Sequence, residues 1–464
     1  MHPADQLAPS LQRPLTRSLG TFGILFLTLS AITPASSVFI YIPPMLSEAG
    51  PGALLAMVIA GVVGVSTAYV YAELSSAWPA AGGEYVMVAR TLGPLAGFII
   101  LGVNAVNCLI FPATAGLGLA NVLALLLPDL QAIPLAIATV VACTLVAVLH
   151  IRVNAWVTGI FLLIELVALV LVAGLGMTEP VRPLGPLLLD PVMTGRPVPA
   201  SEVGVAAVIA IFALNGYGCA VYFSEEMHEP AKRIARVILL SLALAFAFEF
   251  VPLVAVLIGA PDLERLFAAE NPFGFFVMER GGATLAGAVA IGVAVAIVNA
   301  VIANILAISR FFYSTGRDGV WGGPIDRLVI AVHPRSRSPW IATLAVGAVG
   351  VATCFVPFSL LVVLSGAGLA IIYLGVALAV IAGRRTGATA HAPYKMPLFP
   401  LAPLVTVVAL GYIFWTSWQE TESGRPGLIA TGLQIAVAAA YYLLVLRRRG
   451  EWIVRDPFEE AEPA

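Results

Sequence analysis

Charged side chains are scarce in this sequence of 464 residues. Asp, Glu, Lys and Arg together account for 11% of the residues, whereas hydrophobic residues account for 60%. Soluble globular domains carry about 25% charged residues. The composition therefore excludes an ordinary soluble protein and predicts an all-α integral membrane protein.

Cysteine and histidine are also few. The four cysteines lie in apolar segments without CxxC spacing, which is typical of packing residues and excludes a disulfide framework. The five histidines lie in loops or at the ends of hydrophobic runs, so no run carries a Ser–His–Asp set or a metal-ligand pattern. We expect no cofactor, no metal, no enzymatic activity and no nucleic-acid partner.

Long hydrophobic runs are abundant instead. Twelve runs of membrane-spanning length fall at about 21–46, 51–78, 95–127, 132–149, 153–177, 202–226, 235–259, 281–312, 339–356, 358–382, 401–418 and 425–446. Twelve transmembrane helices place both termini on the same side of the lipid bilayer.

Basic residues orient these runs, because cytoplasmic loops of membrane proteins are enriched in Lys and Arg. With the N-terminus inside, five of the 24 basic residues lie outside: Arg182, Arg196, Arg265, Arg280 and Arg425. The other 19 lie inside. The sequence thus predicts a multi-pass protein of the cell membrane, with a cytoplasmic N-terminal segment at 1–20 and a cytoplasmic tail at 447–464.

The first run contains an interruption. Pro34 lacks a backbone donor and disfavours helical geometry at Thr33, whereas Ser36 and Ser37 are residues that start helices. The pattern predicts a helix that stops near Thr33 and restarts near Ser36. A proline kink in a continuous helix is the alternative.

The sixth run contains a second interruption at Asn215, Gly216 and Gly218, which are poor helix formers. Close helix packing is the alternative explanation for such glycines. The two interruptions correspond in position if the first ten runs form two repeats of five. Matched interruptions of this kind indicate the binding site of a transporter.

Three motifs resemble the amino acid–polyamine–organocation (APC) superfamily of secondary transporters. The first is Tyr71-Ala-Glu-Leu-Ser-Ser-Ala-Trp-Pro-Ala-Ala-Gly-Gly-Glu-Tyr85, followed by Arg90, Gly93 and Pro94. The second is Ser224-Glu-Glu-Met-His-Glu-Pro230, with Lys232 and Arg233. The third is Ser309-Arg-Phe-Phe-Tyr-Ser-Thr-Gly-Arg-Asp-Gly319.

The resemblance implies a LeuT-type fold with 5+5 inverted repeats. The repeats would span 21–177 and 202–382, joined by an extracellular loop at 178–201 and followed by helices 11 and 12 at 401–446. Two positions depart from the family pattern. The break reads Pro34-Ala-Ser-Ser-Val38 in place of a Gly-Ser-Gly-Ile type, and Gly218 stands where many members carry a glutamate.

The predicted site lies between the two breaks. The restarting helix of run one offers N–H groups and a positive dipole end for a carboxylate, and the stop of run six offers carbonyls for an ammonium group. The predicted substrate-binding residues are Thr33, Ala35, Ser36, Ser37, Val38, Phe212, Ala213, Leu214, Asn215, Gly216 and Tyr217.

Four further residues are singled out. By the resemblance, Phe212 is a gate and Glu165, in mid run five, is a coupling residue that carries a proton or holds a cation. Packing for Phe212 and a structural hydrogen bond for Glu165 are the alternatives. Asn104 and Asn299 are pathway candidates, although hydrogen bonds between helices explain them equally well.

The leading interpretation is a secondary active transporter that moves an amino acid or related amine by alternating access, coupled to a proton or sodium or working by exchange. A transport-inactive sensor or scaffold of the same fold is the alternative. The preferred substrate, the coupling ion and the oligomeric state stay open.

Overall fold

The computed structural model describes residues 15, 17–123, 130–193, 195–422, 424–450, 452 and 454–455. Most of the predicted N-terminal segment 1–20 and most of the predicted tail 447–464 lie outside the described residues. Within those ranges the chain is almost entirely helical, as its composition predicts.

The described residues of the first half of the chain form nine α-helices, one π-helix and one short 3₁₀ helix. The α-helices are α1 (Thr21–Ile32), α2 (Pro34–Ser36), α3 (Ile42–Ala49), α4 (Ala53–Ala77), α5 (Glu84–Leu92), α6 (Pro94–Leu123), α7 (Ala132–Ala147), α8 (Ile151–Thr178) and α9 (Leu184–Leu189). The π-helix Ser37–Tyr41 joins α2 to α3, and the 3₁₀ helix Gly50–Gly52 precedes α4. A two-stranded hairpin, β1 (Val192–Met193) with β2 (Arg196–Pro197), follows α9.

Ten α-helices are found among the residues that the structure describes in the second half. They are α10 (Ala200–Ala213), α11 (Pro230–Gly259), α12 (Leu263–Ala268), α13 (Pro272–Arg317), α14 (Gly323–Val329), α15 (Trp340–Thr353), α16 (Phe358–Thr386), α17 (Leu401–Gln419), α18 (Gly424–Tyr441) and α19 (Arg447–Arg449). The 3₁₀ helix Tyr217–Glu226 follows α10, and the π-helix Tyr442–Leu446 follows α18. Gly282, with a φ of 76°, interrupts α13.

In the described ranges, nine helical stretches are long and apolar enough to cross a membrane. They are Thr21–Ala77, Pro94–Ala120, Ile151–Thr178, Ala200–Glu226, Pro230–Gly259, Pro272–Arg317, Phe358–Thr386, Leu401–Gln419 and Gly424–Arg449. The first stretch, of 57 residues, contains two of the predicted runs, and Ala132–Ala147 and Trp340–Thr353 are shorter apolar helices. The chain is thus a multi-pass membrane protein, and the count of twelve crossings stays a prediction.

Large apolar side chains cover the outside of the bundle. Trp156 is 76% exposed and Val408 is 72% exposed. A soluble protein would bury such residues, whereas the acyl chains of a bilayer accommodate them. On α8, Asn154, Thr158, Leu162, Glu165 and Leu169 are buried at a spacing of three or four residues, so one stripe of this helix faces the protein and the rest faces lipid.

Small residues bring α8 close to its neighbours. A Cβ atom added to Gly259 of α11 would lie 2.5 Å from the Cα atom of Gly176 in α8, and one added to Gly292 of α13 would lie 2.9 Å from the Cβ atom of Ala168. Small side chains let membrane helices approach closely. This packing places the buried stripe of α8 against α1, α11 and α13.

The connection after α4 forms the short helix α5. Glycines with positive φ stand at both of its ends, Gly83 at 62° and Gly93 at 95°. Glu84, Tyr85 and Met87 of this helix are buried against the other helices. We call this side of the bundle the α5 end, and the opposite side, which carries β1 and β2, the hairpin end.

Candidate functional site

The first interruption is present, two residues earlier than predicted. Helix α1 ends at Ile32, Thr33 adopts the left-handed conformation with a φ of 51°, and the chain is helical again from Pro34. Proline is favoured as the first residue of a helix, because its φ is already helical and its missing donor would be unpaired there anyway. Left-handed geometry at a threonine is strained and marks a position that the surrounding structure holds in place.

The second interruption separates α10 from the 3₁₀ helix Tyr217–Glu226. Gly216 has a φ of 114°, which residues with a Cβ atom rarely adopt. The hydroxyl of Tyr373, in α16, donates to the Oδ1 atom of Asn215 at 2.6 Å and fixes the side chain at the turn.

The two interruptions meet inside the bundle. A Cβ atom added to Gly216 would lie 2.9 Å from Cγ1 of Ile32, the last residue of α1. The Ser37 hydroxyl donates to the carbonyl of Ala213 at 3.0 Å. Ser37, Ala35 and Val38 are all buried. The residues predicted from the two breaks therefore lie together. The Ser37 hydroxyl and the Ala213 carbonyl are already hydrogen-bonded to each other.

Glu165 lies directly at the first break. Its Oε1 atom accepts from the backbone N–H of Ala35 at 2.8 Å and from the Thr33 hydroxyl at 3.2 Å. The Thr33 hydroxyl also lies 2.8 Å from that of Ser36 and 3.4 Å from the carbonyl of Ala296 in α13. The carboxylate thus sits against the first turn of the restarting helix, where the backbone presents unpaired donors.

The predicted N–H donors differ in availability. The Ser37 N–H already donates to the Thr33 carbonyl at 3.1 Å, so in this conformation it is not open to a ligand. A substrate carboxylate at this helix start would share the space with Glu165. Glu165 and the helix start were predicted independently of each other. The hydrogen bond from the Ala35 N–H to Glu165 brings them into one site.

The aromatic residues of the second break face different neighbours. Phe212 is half-buried, and its ring would lie 3.8 Å from a Cβ atom added to Gly366 of α16. Tyr217 is buried, with its ring 5.9 Å from that of Tyr71 and 6.3 Å from that of Tyr373. A Cβ atom added to Gly218 would lie 2.8 Å from the Tyr71 ring, so this ring occupies the space beside the position where many family members carry a glutamate.

The two pathway candidates lie in unlike surroundings. Asn104 donates to the Glu84 carboxylate at 3.1 Å and to the Tyr222 hydroxyl at 2.8 Å. Asn299 is fully buried, one helical turn from Ala296, and neither of its amide atoms has a hydrogen-bond partner among the described residues. Asn104 therefore belongs to a hydrogen-bond network, whereas Asn299 retains unused polar capacity.

Glu84 belongs to the first of the three motifs, and its side chain is the centre of a hydrogen-bond network that the sequence did not predict. Its carboxylate accepts from the hydroxyls of Tyr71 at 3.1 Å and Tyr222 at 2.7 Å, in addition to Asn104. Burial raises the pKa of this carboxyl, and the three donors oppose the rise. The network reaches from α5 to Tyr71, which also contacts Tyr217 and Tyr373 beside the second break.

Ion pairs close the α5 end. Glu226 pairs with Arg310, Glu225 pairs with Arg317 at 2.9 Å, and Glu73 accepts from Arg384 at 2.7 Å. The backbone N–H groups of Ser18 and Leu19 both donate to the Glu226 carbonyl at 3.0 Å, so the chain before α1 is tied to the end of the 3₁₀ helix. The three resembling motifs supply all of these carboxylates together with Arg310 and Arg317, whereas Arg384 lies outside the motifs.

An apolar cavity lies apart from the two breaks, between α6, α8 and α13. It is lined by Leu119, Leu123, Phe161, Ile291, Ala294, Val295 and Val298. None of these residues belongs to the predicted site, and none offers a polar group for an amino or carboxylate group. Across the described part of the chain, no group of three or more His, Cys, Asp or Glu side chains is arranged to hold a metal ion.

Comparisons with known proteins agree with the motifs. A family model described as amino acid permease matches residues 19–443. An uncharacterized transporter of Mycobacterium tuberculosis is 32% identical over 342 residues, which is 72% of this chain and 73% of that protein.

Two relatives with named substrates match more of the chain at lower identity. A branched-chain amino acid permease of Bacillus subtilis is 25% identical over 423 residues, or 86% of this chain and 88% of that protein. A methylthioribose transporter of the same organism is 24% identical over 465 residues, or 95% and 96% of the two chains. The resemblance inferred from the three motifs is confirmed.

Proposed function

The chain belongs to the amino acid permease family of the APC superfamily, and we propose that it moves an amino acid or a related amine across the cell membrane by alternating access. Its family and relatives make it a transporter rather than an enzyme. The proposal extends this to a secondary active transporter, driven by a proton gradient or working by exchange.

The observation that carries the proposal is the meeting of two helix interruptions inside the bundle. Unwound backbone at membrane depth is tolerated where it lines a cavity or is buried in protein. In secondary transporters such interruptions supply helix ends for the charged groups of the substrate. Here the two interruptions are the left-handed residue Thr33 and the glycine turn at Gly216. They meet where Ile32 packs against Gly216.

The predicted residues bind the two charged groups of the substrate at two different helix ends. The helix start at Ala35–Val38 takes the carboxylate, and the end of α10 at Ala213–Asn215 takes the ammonium group. Phe212 gates the site and Tyr217 closes it from the α5 end. Glu165 couples substrate movement to an ion, because its carboxylate is hydrogen-bonded to the break that has to move.

The same proposal includes twelve membrane crossings, with LeuT-type inverted repeats at 21–177 and 202–382 and further helices at 401–446. The α5 end faces the cytoplasm together with both termini, and the hairpin end, which contains the loop 178–201, faces outside. The distribution of Lys and Arg supports this orientation.

A thermal-shift screen of the purified protein tests substrate binding. A ligand that binds only the folded state raises the melting temperature. The screen includes the branched-chain amino acids, their decarboxylated amines and methylthioribose, because relatives carry such names. We expect an amino acid to raise the melting temperature and its matching amine to have a much smaller effect. Equal shifts would contradict the carboxylate assignment.

Two glycine variants separate the site from general stability. Gly216→Ala has to abolish both the ligand shift and uptake into proteoliposomes, because its φ is 114° and the new Cβ atom would meet Ile32 at 2.9 Å. Gly411→Ala is the matched control, since nothing lies within 4 Å of its Cβ position. Ligand binding by wild-type protein without any flux would favour a transport-inactive sensor of the same fold.

A further inference from the structure

A second buried carboxylate lies behind the first break. Glu249 of α11 is 0% exposed, and neither of its oxygen atoms has a hydrogen-bond partner among the described residues. Helix α11 packs against α8, α2 and the π-helix Ser37–Tyr41, and the Glu249 side chain faces the Ser37 hydroxyl and Glu165 of α8. Glu165 is also 0% exposed, and its Oε2 atom lacks a partner in the same ranges. Three unpaired carboxylate oxygens therefore occur beside one break.

The pair has no cationic partner among the salt bridges of the described chain. Near the elements that pack on α11, the other carboxylates are already engaged: Glu73 with Arg384, Glu225 with Arg317, Glu226 with Arg310, and Glu84 with Tyr71, Tyr222 and Asn104. Glu165 is the titratable group that faces Glu249. An ionised carboxylate that is buried without a partner is strongly destabilised, so the two side chains do not both carry a charge while they are enclosed without a bound cation.

The surroundings distinguish the two side chains. Glu165 accepts the Ala35 N–H at 2.8 Å and the Thr33 hydroxyl at 3.2 Å, and donors of this kind stabilise the ionised form. The Ser37 hydroxyl faces Glu249 but donates to the carbonyl of Ala213 at 3.0 Å, so neither Glu249 oxygen accepts a hydrogen bond of normal length from the described residues. A carboxyl group without donors is stable when it is neutral, and it then carries a proton that an unpaired oxygen can accept.

We propose that Glu165 and Glu249 form one proton-binding site behind the break in the first span, with the proton on Glu249 and the negative charge on Glu165. The inference rests on the proposed transport function and specifies its coupling ion. The site holds one proton: when the pair opens to water, the O–H bond of the Glu249 carboxyl breaks and the proton passes to a water molecule, and no other bond changes.

The site is linked to the break through the donors of Glu165. Movement of Thr33 and Ala35 away from Glu165 would remove the hydrogen bonds that stabilise its charge, and the pair would then bind its proton more tightly. Proton binding can bias a conformational cycle only through such a difference between two states. The break is therefore the element through which the proton gradient acts on the substrate site.

Infrared difference spectroscopy of the purified protein tests the proton directly. The spectrum of wild-type protein minus that of Glu249→Gln, at neutral pH, is expected to contain the carbonyl stretch of a protonated carboxylic acid, which shifts in D₂O. Glu48→Gln, at an exposed position of α3, is the control and has to give no such band. Absence of the Glu249 band, or a band that appears only when sodium is removed, would overturn the proposal.

Glu165→Gln provides a second variant in case Glu249→Gln does not fold. It has to retain the acid band with an altered frequency, because the neighbour of the proton has changed. An unaltered band would overturn the pairing of the two residues.

Transport measurements in proteoliposomes complete the test. Glu249→Gln is expected to retain substrate exchange and to lose accumulation driven by a pH gradient. Gradient-driven accumulation at the wild-type level would overturn the proposal. If wild-type protein transported nothing while the infrared band was present, the proposed function would fail and the proton site would stand.

Discussion

The polar groups of the α5 end and those beside the first break are equally buried, but they are paired to different extents. At the α5 end, Glu226 meets Arg310, Glu225 meets Arg317 and Glu84 accepts from three donors. Beside the break, Glu249 and Asn299 have no hydrogen-bond partner among the described residues. Unpaired polar groups in a low-dielectric interior cost free energy, whereas pairing repays much of that cost.

This difference separates two roles. A saturated network stabilises one conformation, which here is the one with the α5 end closed. Unpaired groups are tolerated where a ligand, a proton or a second conformation pairs them. Breaking the network should therefore change stability and conformation, whereas changing the unpaired groups should change transport.

The largest effect is expected at the Glu226–Arg310 pair, whose side chains are 1% and 0% exposed. Glu226→Gln leaves a buried guanidinium without its countercharge, and removing one member of such a pair costs about 3–5 kcal/mol. The change should lower the melting temperature in detergent strongly or prevent folding.

A surface pair provides the matched control for that change. Glu229 pairs with Lys232, and their side chains are 51% and 72% exposed, so Glu229→Gln should leave the melting temperature nearly unchanged. Replacing both buried partners, as Glu226→Leu with Arg310→Met, should recover much of the lost stability. Equal melting temperatures for Glu226→Gln and Glu229→Gln would contradict the contrast.

The next effect concerns the network around Glu84. Tyr222→Phe removes a hydrogen bond of 2.7 Å to this carboxylate, and a hydrogen bond to a charged group contributes about 1.5–3 kcal/mol. The variant should open the α5 end more often and speed the labelling of Cys219 by a thiol reagent, in protein with Cys108, Cys143 and Cys354 replaced by alanine.

Tyr412→Phe is the control, because this tyrosine is 39% exposed on α17. The rate of Cys219 labelling in Tyr412→Phe should equal the rate in the parent protein. A Tyr222→Phe rate equal to the parent rate would show that the Glu84 network does not hold the α5 end closed.

Replacing Asn104 or Asn299 by leucine compares the loss of a paired amide with the loss of an unpaired one. Asn104→Leu removes one of the three donors to Glu84 and the donor to the Tyr222 hydroxyl, and should lower stability by about 1–3 kcal/mol. Asn299→Leu removes an unpaired amide, so the melting temperature should hold or rise while uptake falls. Thermal unfolding and substrate flux, measured on both variants, test these two expectations. A large loss of stability in Asn299→Leu would mean that its amide is paired in the folded protein.

Local sequence signals were sufficient to predict the interruptions. Pro34 and the glycines near 216 break helices whatever surrounds them, so both breaks are present, with an error of two residues at the restart. Buried hydrophobic runs likewise predicted the helices, because bilayer thickness sets their length.

Pairings over long sequence distances could not be predicted from the chain. Glu165 and Ala35 are 130 positions apart, and Tyr222 and Glu84 are 138 apart. One sequence cannot show which polar groups face each other across helices, so Asn104 and Asn299 looked alike. For the same reason the helix start was expected to be open, although Glu165 lies against it.

The smallest effect is expected at Asp318, where the α5 end meets the last described residues. Its carboxylate accepts from the Tyr85 hydroxyl at 2.7 Å and from the Arg455 N–H at 3.2 Å. Burial raises the pKa of Asp318 to about 6, from 3.8 in an exposed chain. The folded protein thus holds this proton more tightly than the unfolded chain, and the contribution of Asp318 to stability increases as the pH falls through about 6 towards 4.

Wild-type protein should gain about 1 kcal/mol over Asp318→Asn between pH 7 and pH 5, since one pKa unit corresponds to about 1.4 kcal/mol. Melting temperatures of the two proteins at both pH values measure this gain, with Glu48→Gln as the exposed control. A difference between wild type and Asp318→Asn that does not change with pH would show that Asp318 is already ionised at pH 5.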